Sequence, residues 1–162
     1  MKTNKVQFMT QAAMIAAIYV VLTYIFAPFS FGEVQVRISE ALTILPIFTP
    51  AAIPGLFVGC LIGNILGGAI LPDIVFGSIA TLIGAFFTWK LREQKPVVAT
   101  FPPIISNIII VPFVLRYGYG VTLPIPFMML TVGIGEVISC TVLGLIVYGA
   151  LKKYKSTLFR TA

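Results

Sequence analysis

The apolar stretches of this chain are long and unbroken rather than alternating. The first covers residues 8–27, about the length that crosses a bilayer core and longer than the core of a typical signal peptide. We read it as a transmembrane helix rather than a removable leader, although Lys2 and Lys5 precede it. Inside a bilayer every backbone N–H and C=O needs an internal partner, which leaves helices and closed barrels. Barrel strands alternate apolar and polar residues, and these segments do not, so an all-α integral membrane protein follows. Composition demands the same solvent. Hydrophobic residues make up 59% and charged residues 10%, whereas soluble domains carry roughly 45–50% and about 25%. At 162 residues a single membrane domain, residues 1–162, is expected.

Six spans are predicted, at residues 8–27, 38–48, 53–68, 73–91, 97–115 and 126–151. The second is short, about 16 Å as an α-helix. It is a half-span, a re-entrant segment, or a piece joined to the third span through the corner Thr49-Pro50-Ala51-Ala52-Ile53-Pro54, where proline disfavours helix continuation. Basic residues set the orientation. Lys2, Lys5, Lys90, Arg92, Lys95, Lys152, Lys153, Lys155 and Arg160 fall on one side and only Arg37 and Arg116 on the other. Both termini are therefore expected in the cytoplasm. The net charge of +6 then reports orientation and contact with anionic lipid, not nucleic acid. Glu33, Glu40, Asp73 and Glu136 lie outside or in the outer part of the membrane under this topology, leaving Glu93 inside.

Ionisable and amide groups at membrane depth are costly and mark function. Glu136 sits deep in the last span and Asn107 deep in the fifth, at levels that can coincide. A carboxylate beside an amide offers acceptors and a donor to a planar polar molecule; the plain alternative is an interhelical hydrogen bond. Arg37 and Glu40, three apart, either form a local ion pair or line the mouth of a cavity. Asn64 is a further candidate. Asp73 suits the first turn of a helix, where a carboxylate meets the helix dipole. The loop Arg116-Tyr117-Gly118-Tyr119-Gly120 is either a lid that brings Tyr117 over a site or an ordinary interfacial aromatic pair. Gly55, Gly59, Gly63 and Gly67 recur every four residues and make a close-packing face, expected within the bundle. Ala12, Ala13, Ala16 and Ala17 form two small-residue pairs on the first helix, open to internal packing or to another protein's helix.

Enzymatic chemistry is not expected. The chain has no histidine and no G-x-x-x-x-G-K-[ST] loop, so metal hydrolysis, triads and this mode of ATP binding are not expected of it. Cys60 and Cys140 lie in apolar segments without metal-ligand spacing and read as free thiols. No cofactor or metal is implied. The halves show no evident inverted repeat, which weakens a self-sufficient secondary transporter. An outward polar pocket without a motor points to a subunit that draws energy from partners.

The run Gly32-Glu33-Val34-Gln35-Val36-Arg37-Ile38-Ser39-Glu40-Ala41-Leu42-Thr43, with Leu45-Pro46 and the continuation from Phe48 through Leu56 to Gly59-Cys60 and Gly63-Asn64, resembles the queuosine-precursor transporter (QueT-type) family. That resemblance implies a six-helix S component of an energy-coupling factor (ECF) importer, with its site opening outward. It implies a queuosine precursor or related 7-deazaguanine base as ligand, with a membrane scaffold subunit and two ATPase subunits as partners. It also implies that the alanines of the first helix dock on that scaffold. A deazaguanine presents a ring N–H and an exocyclic amine side by side, which one carboxylate accepts together. Glu136 is the first choice for that role and Glu40 the second. Asn107 would read the carbonyl edge, and Phe101 or Tyr117 would stack on the ring. Two alternatives are an S component for another vitamin-like solute and a membrane assembly protein that transports nothing.

Overall fold

The computed structural model describes residues 5–26 and 36–155. Lys2, Arg160 and Glu33, with residues 32–35 of the quoted motif, lie outside them. The described residues form helices and no strands. In chain order these are α1 (Lys5–Ile25), a 3₁₀ helix (Ile38–Ile47), α2 (Ala52–Leu66), α3 (Leu71–Lys90) and α4 (Phe101–Tyr117), the last entered through a 3₁₀ turn (Val98–Thr100). A final rod consists of α5 (Ile125–Glu136), a π segment (Val137–Leu143) and α6 (Gly144–Lys152). Among the described residues four stretches are long and apolar enough to cross a membrane: Lys5–Ile25, Leu71–Lys90, Val98–Tyr117 and Ile125–Lys152. The 3₁₀ helix and α2 are shorter.

Glycine brings α1 and α2 into near contact. A β-carbon added at Gly55 would stand 2.7 Å from the Ala12 carbonyl oxygen, and one at Gly59 would stand 2.8 Å from Tyr19 Cβ. Gly63 faces Thr23 in the same way. The glycine face is thus internal packing, as its spacing predicts. It takes one of the two alanine pairs with it. Ala12 and Ala16 lie under α2, whereas Ala13 and Ala17 stay exposed. On the other side of the bundle α3 packs on α4, where a β-carbon at Gly84 would come within 2.6 Å of Pro103 Cα. α4 in turn packs on α5.

The short second segment has an explanation in its surroundings. Residues Ser39, Glu40, Ala41, Leu42, Thr43, Ile44, Leu45 and Pro46 are all buried. They are wrapped by α1, α2, α3, the π segment and α6. Non-helical or tightened backbone is tolerated at membrane depth when protein covers it. A separate corner follows: Ala52 N donates to Thr49 O at 3.2 Å and Ile53 N to Pro50 O at 3.1 Å, and α2 begins there. Outside the bundle, Met14, Ile18, Phe76, Phe87, Ile105, Ile109, Phe127 and Ile134 are exposed apolar side chains on its long helices. Such a surface needs a lipid solvent.

Candidate functional site

The two irregular segments meet in the core, and each brings a carboxylate to the meeting point. Glu40 rides on the 3₁₀ helix with no exposed surface. Its Oε1 accepts a hydrogen bond from the Tyr19 hydroxyl of α1 at 2.5 Å and another from Thr81 Oγ1 of α3 at 3.5 Å. Its Oε2 is buried without a hydrogen-bond partner among the described residues. Glu136 ends α5, where the helix widens into the π segment. Single-turn π distortions occur often at functional sites. Glu136 Oε2 accepts from the Cys140 thiol at 3.2 Å, one turn on, and the Asn107 amide of α4 bonds to the same carboxylate. One donor atom each from Glu40, Glu136 and Cys140 lie within 4.8 Å of one another. Thr43 Oγ1 donates to Cys140 Sγ at 3.5 Å and closes the group. Chemically this is an acceptor-rich, water-poor point able to hold positive charge or several N–H donors.

A second polar group adjoins the first. The Arg37 guanidinium, at the head of the 3₁₀ helix, meets Asp73 Oδ2 at 3.5 Å. The Tyr119 hydroxyl donates to the same oxygen at 3.0 Å and accepts from Ile70 N at 3.4 Å, which pins its loop over the start of α3. Burial raises the Tyr119 phenol above its ordinary range, and the Asp73 charge adds to this; it remains a hydrogen-bond donor at neutral pH. Asn64 Nδ2 donates to the Asp73 carbonyl at 3.4 Å and to Cys60 Sγ at 3.6 Å. Thr81 joins the two groups, since its hydroxyl also reaches Cys60 Sγ at 3.4 Å.

Glu136, Asn107 and Glu40 therefore come together, and Arg37 and Asn64 stand beside them. Arg37 forms its ion pair with Asp73 of α3, not the local one with Glu40 that the spacing offered. Asp73 does occupy the first turn of its helix, but it is buried and paired as well. Tyr117 stands apart. It is 77% exposed, and its ring stacks on Phe113 at 6.5 Å between centroids. Tyr119, two residues on, has the inward position. Phe101 is exposed too. Sequence reasoning missed Tyr19, Thr81 and Cys140. The one readable sign was Cys140 four residues after Glu136 on the same helical face. Both cysteines are free and buried.

Comparisons with known proteins bear on the family. The family described as "QueT transporter" matches residues 9–153. The Queuosine precursor transporter QueT of Lactococcus lactis subsp. cremoris (strain MG1363) is 33% identical over 85 residues, which are 51% of this chain and 50% of that protein. In that match the chain spans about half the length of its curated relative. No solved structure matches. With the family match running through every helix from α1 to α6, and with four membrane-length apolar stretches among the described residues, this multi-pass cell-membrane protein belongs to the QueT transporter family, a family of transporters and not of enzymes.

Proposed function

We propose that this chain is the substrate-binding S component of an ECF-type ABC importer, and that it binds a queuosine precursor, a 7-deazaguanine base. The name of the Lactococcus relative supports the substrate class. The observation that carries the reading is the convergence of Glu40, Glu136 and Asn107 deep in an apolar bundle, with an acceptor atom of Glu40 left without a partner among the described residues. Glu136 accepts from the ring N–H and exocyclic amine of the base together, with Glu40 beside it, and Asn107 reads its carbonyl edge. Tyr19 and Thr81 hold Glu40 in place. Arg37, Asn64 and Asp73 fix the wall of the site, and Tyr119 closes it. Residues 1–162 form one six-span membrane domain with both termini in the cytoplasm, so the site opens outward.

Titration of the purified protein with deazaguanine bases and with unrelated vitamins tests the substrate. A deazaguanine should bind. Glu136→Gln should weaken it by about 2 kcal/mol, roughly thirtyfold, the worth of one hydrogen bond to a charged group. Binding of a vitamin alone would replace the substrate, and binding indifferent to Glu136→Gln would remove that carboxylate from the site.

The energising partners are a membrane scaffold subunit and two ATPase subunits. Ala13 and Ala17 give α1 an open small-residue face for the scaffold, while Ala12 and Ala16 are already covered by α2. Ala13→Trp and Ala17→Trp should therefore leave base affinity unchanged. Coexpressed with the partners, each should lower ATP-dependent uptake by about tenfold, a docking loss of ~1.4 kcal/mol. Undiminished uptake would place the contact elsewhere. Absence of uptake by the unaltered complex would favour an assembly protein.

A further inference from the structure

The buried charges of this bundle do not balance. Among the described residues Glu40, Asp73 and Glu136 are buried, and Arg37 is the one buried basic side chain. Arg37 pairs with Asp73. The remaining two carboxylates share a point within 4.8 Å that also takes in Cys140 Sγ. Like charges this close in a dry site cannot both ionise without a counter-charge. The elements packed around them contribute Tyr19 from α1, Cys60 from α2, Thr81 from α3 and Cys140 from the π segment, none of them basic; among the described residues the Arg37 guanidinium, already set against Asp73, is the one positive charge that acts on both carboxylates. α4 supplies the neutral Asn107. Glu40 Oε2 has no hydrogen-bond partner among the described residues.

We propose that Glu40 and Glu136 hold one proton between them in the ligand-free protein, and that a ligand bearing a primary ammonium group displaces it. This rests on the substrate-binding reading above and narrows it to the cationic, aminomethyl-bearing bases. The exchange balances in charge. The pair with its proton carries one negative charge; after the proton leaves for solvent, two carboxylates and one ammonium carry the same. The ammonium N–H groups donate to Glu40 Oε2, leaving Glu136 to accept from the ring edge, so the ion enters the hydrocarbon level without adding net charge to it. A neutral base gains no such exchange and must bind the protonated pair.

Calorimetry on the full chain in detergent tests this at one pH in buffers of different ionisation enthalpy. The probes are 7-aminomethyl-7-deazaguanine and its 7-cyano analogue. With the aminomethyl base the apparent enthalpy should follow the buffer with a slope of about one proton released, and its affinity should rise about tenfold per pH unit while the pair is protonated. The cyano base should show no release and weaker binding. A second readout needs no variant: the infrared C=O band of a protonated carboxyl should be present without ligand and vanish when the aminomethyl base is added. Tight aminomethyl binding with no proton released and no band lost overturns the shared proton but leaves the importer reading standing. Equal affinity for both bases overturns the preference in the same way. Binding of neither base overturns this inference together with the deazaguanine reading.

Discussion

Arg37→Ala should destabilise the bundle by about 3–5 kcal/mol, the usual result of removing one partner from a buried ion pair. Arg37 is 5% exposed and Asp73 1%. With the guanidinium gone, Asp73 Oδ2 is left with the Tyr119 hydroxyl as its donor, and Oδ1 already lacks a hydrogen-bond partner among the described residues. A carboxylate so placed is an uncompensated charge. Removing both charges is a different matter. Arg37→Met combined with Asp73→Asn removes both ions of this pair and keeps an acceptor for Tyr119, so it should recover most of the loss. Cys60 and Cys140 supply the measurement, because both are free and buried and react with a thiol probe only as the fold opens. The single variant should expose them at a much lower temperature than the wild type, with the double variant between. A single variant as stable as the double would show that the pair contributes nothing.

The second large effect is expected at Gly84. A β-carbon there would lie 2.6 Å from Pro103 Cα and 2.9 Å from Pro103 Cβ. The obstacle is backbone and a fixed ring, so no side chain can swing aside. α3 must move off α4, at a cost of about 1–3 kcal/mol or more for overpacking. These two helices carry Thr81 and Asn107, so Gly84→Ala should weaken base binding as well as lower the melting temperature. Two other glycines separate this from a general dislike of alanine. At Gly133 the new β-carbon meets only the flexible end of Ile108, at 3.1 Å, and the loss should be small. At Gly149 it meets nothing within 4 Å, and alanine in that helix should stabilise by up to about 1 kcal/mol. Equal melting temperatures for the three variants would refute the close α3–α4 approach.

The long helices were legible because hydrocarbon imposes a length and an unbroken apolar run. Helices Leu71–Lys90 and Ile125–Lys152 lie over the apolar runs at 73–91 and 126–151. What the second segment does was not legible. Its 3₁₀ form and its burial depend on five surrounding elements, of which only α2 is near it in sequence. The π segment has no local signature either. In the site, Glu40, Asn107 and Glu136 stood out because charge or amide inside an apolar run is conspicuous. Tyr19, Thr81 and Cys140 did not, since their side chains are ordinary residents of membrane helices. The Arg37–Asp73 pair joins residues 36 apart, a distance at which spacing rules give no guidance. Tyr117 and Tyr119 differ by the course of one loop. Gly120 takes a φ of +70° there, a conformation that glycine permits but whose direction no periodicity reveals.

The most direct check on the two-carboxylate site is a ligand-bound structure of the full chain at side-chain resolution, with 7-aminomethyl-7-deazaguanine present. The base should lie between the 3₁₀ helix and the π segment, with donors within hydrogen-bond distance of both Glu40 and Glu136 and its carbonyl edge toward Asn107. Density for the base in the apolar groove between α3 and α4, lined by Pro72, Phe76, Ile109 and Phe113, with the two carboxylates untouched, would contradict it.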